Sequence, residues 1–271
     1  MKLTGMIVLC ENNEGNTILE YVGNEYYKCL YLYINLMKYG CQSDYTRAWK
    51  MLDDKGALSL VALSYHSALH LFSKEMNFDR QELVGLVKEI KPSIICASAD
   101  IIRIMNPLLK DLGFMAEYGH IGKYVHEKQS SSSFFVQKAG LDEVREIAQL
   151  LYDDDDIGAS YSFEDLVAQM KERLGDGYVR SYVIKDNGKV VAHLGTGAET
   201  EKLCTISYVI TDVDYRGRGM SSALFAFACE RLSAEGKEIY SVYYPENSRR
   251  LHHKNGFEDY CEFGKLFKNI Q

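Results

Sequence analysis

The chain echoes itself. Arg47, Trp49, Asp53 and Asp54 in "RAWKMLDDKG" are answered by Arg180, Tyr182, Asp186 and Asn187 in "RSYVIKDNGK", each pair 133 residues apart. Further on, "LGFMAEYGHIGKYV" is answered by "NGFEDYCEFGKLF". Glu117-Tyr118 matches Asp259-Tyr260, and Gly122-Lys123 matches Gly264-Lys265. Echoes that keep their order across a 271-residue chain point to one fold present twice, the first copy diverged. The competing reading is two unrelated hairpins with a chance likeness. Four serines in "EKQSSSSFF", residues 127–135, carry neither a helical nor a strand period and mark the boundary. The expected domains are therefore 1–128 and 134–271, each of ordinary size.

The second half reads clearly. "LDEVREIAQLLYDD" sets Leu141, Val144, Ile147, Leu150 and Leu151 on one helical face. "SFEDLVAQMKERLGDG" opens on Ser162 and Asp165 at capping-box spacing, carries the stripe Leu166, Val167, Met170, Leu174, and stops at Gly175. "VRSYVIKDNGKVVAHLG" is a hairpin around Asn187-Gly188. "LCTISYVIT" is a strand, followed by a helix to about Ala234, the strand "EIYSVYYP", a short helix and the final strand "YCEFGKLFK". The layout is mixed α/β (α+β): two domains, each a central mixed sheet flanked by helices.

Charge and cysteine usage exclude several classes. A net charge of -7 is the wrong sign for general nucleic-acid binding. Seven widely spaced cysteines form no Cys-x-x-Cys pair and no zinc pattern, so no metal is expected, and they read as reduced thiols of a cytoplasmic protein. No apolar run is long enough to span a membrane, and the N-terminus shows no obvious signal-peptide cleavage site.

One motif carries chemistry. In "DVDYRGRGMSSALF" (212–225) two glycines and two arginines fill a strand-to-helix turn. A helix starting there presents unpartnered backbone N–H groups at the positive end of its dipole, which suits phosphate oxygens. Glycine lets a ligand approach the backbone. The turn lacks the Lys-Ser/Thr of a nucleoside-triphosphate loop and the third glycine of a dinucleotide fingerprint. A purely structural turn stays open at this point.

"VITDVDYRGRGMSSALF" resembles motif A of the GNAT superfamily of acyl-CoA-dependent N-acetyltransferases, Arg/Gln-x-x-Gly-x-Gly/Ala. Arg216 and Gly219 fit, and Ser221 replaces the last small residue. "RRLHHKNGFEDY" resembles the superfamily's later helix and turn: Leu251, Lys254, Gly256 and Phe257 fit, and His252 stands where a tyrosine is common. The resemblance spans about 134–271; the first half is linked to the fold only through the internal echo and has no Gly-rich turn in "SKEMNFDRQELVGLV".

The resemblance implies tandem GNAT-like domains and transfer of an acetyl group from acetyl-CoA to an amine, small molecule or peptide, by direct attack in a ternary complex. It implies that the amides of Arg216, Gly217, Arg218, Gly219, Met220 and Ser221 hold the cofactor's pyrophosphate. Ile210 and Thr211 would lie where the preceding strand splays, an amide there polarising the thioester carbonyl. His252 would replace the tyrosine as proton donor to the leaving thiolate. The alternatives are a solvated His252 and a non-catalytic CoA sensor. "YDDDDIG" (152–158) borders the acceptor side by the same resemblance, and reads otherwise as a solvated charge run. Glu199 and Glu201 are candidate bases, and His193 reads as a satisfied core histidine.

Overall fold

The computed structural model describes residues 6–125, 133–154, 158 and 162–268. Most of the serine linker and Asp155–Ile157 of the acidic run lie outside these residues. The chain forms two compact units. One takes the described residues up to Ile121 and those from Cys261 onward; the other takes Gly122–Tyr260.

Each unit runs through the same elements. The first has β1 (Ile7–Leu9), α1 (Gly15–Val22), α2 (Leu30–Tyr39), β2 (Thr46–Leu52), β3 (Leu58–Tyr65), β4 (Ala68–Phe72), α3 (Arg80–Ile90), β5 (Ile94–Ser98), α4 (Ala99–Leu109) and β6 (Phe114–Tyr124). The second has β7 (Gln137–Lys138), α5 (Val144–Tyr152), α6 (Phe163–Gly175), β8 (Ser181–Asp186), β9 (Lys189–Glu199), β10 (Leu203–Thr211), α7 (Met220–Ala234), β11 (Glu238–Tyr243), α8 (Glu246–Lys254) and β12 (Phe257–Lys268). Strand, two helices, three strands, helix, strand, helix, strand thus occurs twice among the described residues. The echoed segments take matching places: "RAWKMLDDKG" spans β2 and its turn, "RSYVIKDNGK" spans β8 and its turn.

Local chemistry explains the elements. Asn187 and Gly188 both have positive φ (49° and 83°), as a two-residue hairpin turn requires, and join β8 to β9. The Ser162 hydroxyl accepts the Asp165 N–H at 3.2 Å and starts α6. Leu141 falls before α5, in a 3-10 turn held by Gly140 N–H donating to the Glu143 carboxylate at 2.8 Å, so its side chain is exposed while Val144, Ile147 and Leu151 are buried.

In the first unit the strand order is β1-β2-β3-β4-β5-β12. Pairs are antiparallel except β4–β5. In the second it is β11-β10-β9-β8-β7, with only β10–β11 parallel. Each sheet is therefore mixed. The last strands change places. β12 pairs with β5 from Phe263↔Ser98 to Phe267↔Ile94, inside the first unit. The end of β6 belongs to the second unit, where Tyr124 packs on Phe257 and Val125 N–H donates to the Gly256 carbonyl at 2.9 Å. Chain order alone does not anticipate this exchange.

The echoed glycines mark equivalent close approaches. A Cβ on Gly122 would lie 2.5 Å from the Tyr243 hydroxyl, and one on Gly264 3.0 Å from Ile102 Cγ1. In the second unit the core lies on both faces of the sheet. Ile206, Leu224, Phe225, Ala228, Ile239 and Phe257 pack under α7; Val144, Ile147, Leu166, Val183, Val190 and Ile210 pack under α5 and α6. Among the described residues no helix is long and apolar enough to cross a membrane.

Tyr243 is held by its hydroxyl on Asp259 at 2.6 Å, so it has no easy retreat. Gly122→Ala is expected to lower stability by about 1–3 kcal/mol in chemical unfolding. Gly85→Ala, inside α3 with open space around its Cβ, is expected to raise it by about 0.5–1 kcal/mol. Equal effects would show that packing around Tyr243 is loose.

Candidate active site

Two strands part at the centre of the second unit. The parallel ladder between β10 and β11 runs from Leu203↔Glu238 to Ile206↔Ser241 and stops there. On its other edge β10 stays paired with β9, but Ser207↔Gly195 is followed by Ile210↔His193, so β10 holds one extra residue. Within that bulge Tyr208 takes φ +53°, and the strand turns away from β11. Ser207, the first residue past the ladder, keeps its hydroxyl buried without a hydrogen-bond partner among the described residues.

His193 pins the bulge. Its Nδ1 lies 3.0 Å from the Tyr208 carbonyl oxygen, which can only accept, so Nδ1 carries the proton. Nε2 lies 3.1 Å from the Ser181 hydroxyl. Burial pushes the imidazole down to about 4, and the ring is a satisfied core histidine.

Ile210 and Thr211 end β10, beyond the bulge. The Ile210 side chain enters the core under α5 and α6. The Thr211 carbonyl accepts from Arg216 Nε at 3.1 Å, and its hydroxyl meets that of Ser221 at 2.9 Å. These contacts fold the chain back so that the start of α7 sits beside the end of β10.

The Gly-rich turn follows. Asp212 accepts the Asp214 N–H at 3.1 Å and opens a 3-10 turn, Val213–Tyr215. The Tyr215 hydroxyl donates to Asp186 at 2.7 Å, and the Arg218 guanidinium lies over the Tyr215 ring while donating to the Asp214 carbonyl at 2.8 Å. Arg216 faces the Asp154 carboxylate at 3.5 Å, the point where the acidic run meets the turn. Gly217 and Gly219 have φ +80° and +87°, a region that disfavours side chains, and a Cβ on either would meet nothing within 4 Å. The space in front of the turn is open. Gly219 is the N-cap of α7 and offers no side-chain oxygen; the first intrahelical bond is Ala223 N–H to the Gly219 carbonyl at 3.1 Å. The amides of Met220, Ser221 and Ser222 therefore start the helix without helical acceptors, while the Met220 side chain anchors it in the core.

The matching helix of the first unit is sealed. Asp79 is the N-cap of α3, and its carboxylate accepts from Gln81 N–H at 2.8 Å and Glu82 N–H at 3.1 Å. A carboxylate fills that position and repels an anion, so of these two matching helices only α7 keeps an open start. The absence of glycines is plain in the sequence of this turn; the capping aspartate is legible too, as Asp79 three residues before Glu82.

His252 lies on α8 and is 4% exposed. Nδ1 lies 2.7 Å from the Ser248 carbonyl oxygen, and Nε2 lies 2.7 Å from the Ser241 hydroxyl, which also reaches the Ile206 carbonyl at 3.1 Å. The ring packs on Tyr243, Phe225 and Phe257. Burial pushes it down to about 4, so it is neutral near pH 7, and its Nδ1–H points into the helix. A charged donor at this position finds no support in that setting. Ser241, which ties His252 to the last rung of the ladder, was missed; a lone serine in "EIYSVYYP" was its only signal. Tyr243 is buried, as packing requires. Glu199 accepts from Thr196 and pairs with Arg180 and Lys237 at the far end of β9.

The family model of the acetyltransferase (GNAT) family matches residues 141–257. This stretch is similar to the GNAT acetyltransferases. Solved structures extend the fold to the whole chain. A Drosophila protein superposes with a TM-score of 0.66 at 12% identity, covering 98% of this chain and 99% of its own. A GCN5-related N-acetyltransferase from Sphaerobacter thermophilus gives 0.63 at 14%, covering 98% and 96%. A GNAT-family acetyltransferase from Colwellia psychrerythraea gives 0.59 at 13%, covering 97% and 99%. At such identities the likeness shows the fold, and it includes the first unit. No curated protein matches the sequence. This match, with the fold, supports acyl transfer in general.

Three buried histidines make stability sensitive to acid. His193, His252 and His70, which stacks on Tyr31, are each pushed down to about 4 by burial. On unfolding each returns to about 6.5. Between these values the unfolded chain binds more protons, so the contribution is whole above pH 6.5 and is lost as pH falls toward 4. Each ring contributes a slope of at most about 1.4 kcal/mol per pH unit. Urea unfolding at pH 7, 6 and 5 should show this fall, with a shallower slope in His193→Asn; an unchanged slope would remove His193 from the account.

Proposed function

We propose that the protein transfers the acetyl group of acetyl-CoA to an amine, by direct attack in a ternary complex. The observation that carries this is the open, uncapped start of α7 at the end of a strand that has left its neighbour. The amides from Arg216 through Ser221 fit the pyrophosphate: glycine at 217 and 219 supplies the backbone conformation, and nothing stands in front of it. Arg216 and Arg218 add positive charge, Arg218 held in place by Tyr215.

Past Ile206, the edge of β10 that faced β11 has no strand partner among the described residues, so its amides can meet the extended arm of the substrate and its thioester carbonyl. Ile210 and Thr211 close this stretch, where an N–H aimed at the developing tetrahedral oxygen would stabilise it. The acceptor amine attacks in its neutral form, and a proton must leave its nitrogen. Of the acidic run, Asp154 faces Arg216 of the turn at 3.5 Å, and its carboxylate suits a cationic amine, small molecule or peptide, on approach.

One observation favours a second reading, CoA binding without turnover. The side chain at the usual tyrosine position, His252, is buried and hydrogen-bonded at both nitrogens. Thiol release from acetyl-CoA with a panel of amino acids, polyamines, aminoglycosides and peptide N-termini separates the two.

Acetyl-CoA at a hundred times its dissociation constant should stabilise the protein by about 2.7 kcal/mol, seen as a raised melting temperature. Gly219→Val should fold with lowered stability, because φ +87° disfavours a side chain, and should lose that rise, because its side chain would occupy the open space. No rise in the wild type contradicts CoA binding; a full rise in Gly219→Val places the phosphates elsewhere.

A further inference from the structure

The two arginines of the Gly-rich turn are held differently. Arg218 donates to the Asp214 carbonyl at 2.8 Å and lies over the Tyr215 ring, 4.9 Å from its centroid. Both partners are neutral, so they fix the guanidinium and leave its charge in force. Arg216 is fixed by its Nε, which donates to the Thr211 carbonyl at 3.1 Å. Its far end, Nη2, faces the Asp154 carboxylate at 3.5 Å. That contact adds an opposite charge to a side chain whose direction the Thr211 carbonyl already sets.

The backbone places Asp154 for this contact. Its N–H donates to the Leu151 carbonyl at 3.3 Å and its carbonyl accepts the Gly158 N–H at 2.8 Å, which fixes it just past the end of α5. Its neighbour Asp153 is engaged on α5 itself, accepting from Gln149 Nε2 at 2.7 Å. Asp212, at the start of the turn, faces Lys189 at 3.6 Å. Among the described residues, the carboxylate that meets Arg216 therefore comes from the segment after α5 and not from the turn. The pair is reached by water: the Arg216 side chain is 58% exposed and that of Asp154 22%. Ion pairs of this kind are weak, so a better anion can displace the carboxylate. Until it does, part of the charge that a phosphate would meet at Nη2 is cancelled.

We propose that Asp154 is a built-in competitor for the phosphates of coenzyme A, an autoinhibitory contact that holds Arg216 until the cofactor displaces it. The proposal rests on the CoA-binding part of the reading above. Phosphate oxygens take the outer nitrogens of Arg216 while Nε keeps the Thr211 carbonyl, so the side chain changes partner without leaving its place. Affinity for CoA is thereby set below what the turn alone would give. The rival role is a strut that aims Arg216 at the phosphates. A strut needs no charge, as Arg218 shows, and it makes the opposite prediction: its removal weakens binding.

The test uses the full chain and CoA itself at low salt, where such a pair is least screened. Affinity is read by calorimetry and by the shift of the Gly219 amide, which also reports weak binding. Asp154→Asn, nearly unchanged in shape, should bind CoA about two- to fivefold more tightly than the wild type, and Asp154→Ser should do the same. Asp153→Asn removes the same charge from the neighbouring residue and should change affinity less. In an Arg216→Gln background Asp154→Asn should bring no further gain, because the guanidinium it would release is gone. Weaker or equal binding in both Asp154 variants makes the pair a strut or an idle contact and overturns the proposal. An equal gain in Asp153→Asn, or a gain that persists without Arg216, overturns it too, since either belongs to the general field of the acidic run. No binding of CoA to the wild type or to either Asp154 variant overturns the reading beneath it.

Discussion

The second unit depends on where one ladder ends. Four rungs tie β10 to β11, and after Ile206↔Ser241 the strands part. The cause is the bulge at Tyr208, an extra residue in a left-handed conformation whose carbonyl is held by buried His193. Pairing with β9 resumes at Ile210, so the strand continues in a new direction with one edge free. The Gly-rich turn then aims the start of α7 at the same region. An unpaired strand edge and an uncapped helix start, each costly to keep dry and unpartnered, meet at one place. That is the physical argument for a ligand with both phosphate and amide-like groups.

The two units show what the site needs by contrast. Both repeat the element order, and both place a helix after the third strand of the run. In the first, Asp79 supplies the capping oxygen and α3 needs no ligand. In the second, Gly219 supplies none. One residue at one N-cap separates a helix that is complete from one that is ready for an anion. The reciprocal exchange of last strands, with Gly122 and Gly264 fitted against Tyr243 and Ile102, explains why the Gly-Lys echo survives in a copy that has lost the turn.

The features legible in the sequence are those written in local backbone chemistry. Asn187-Gly188 needs positive φ, Ser162 caps a helix, Gly217 and Gly219 shape a turn, and all five residues appear where the pattern placed them. What stayed hidden depends on distant partners. Nothing in "YCEFGKLFK" says that its second half pairs with Ile94–Ser98, since alternating side chains suit either sheet. Tyr208 gives no sign of its bulge, because the residue that fixes it is His193 on the neighbouring strand. His252 reads as an exposed helical histidine until Ser241 and Phe225 surround it. Burial, more than residue type, holds it neutral near pH 7.

The central claim is that the start of α7 holds the phosphates of CoA and that the start of α3 holds none. Backbone amide shifts measured during a titration with CoA address it directly. The account predicts saturable shifts concentrated at Gly217, Arg218, Gly219, Met220 and Ser221, with Gln81 and Glu82 unmoved. Silent amides at the turn, or larger shifts at Gln81 and Glu82, would contradict it.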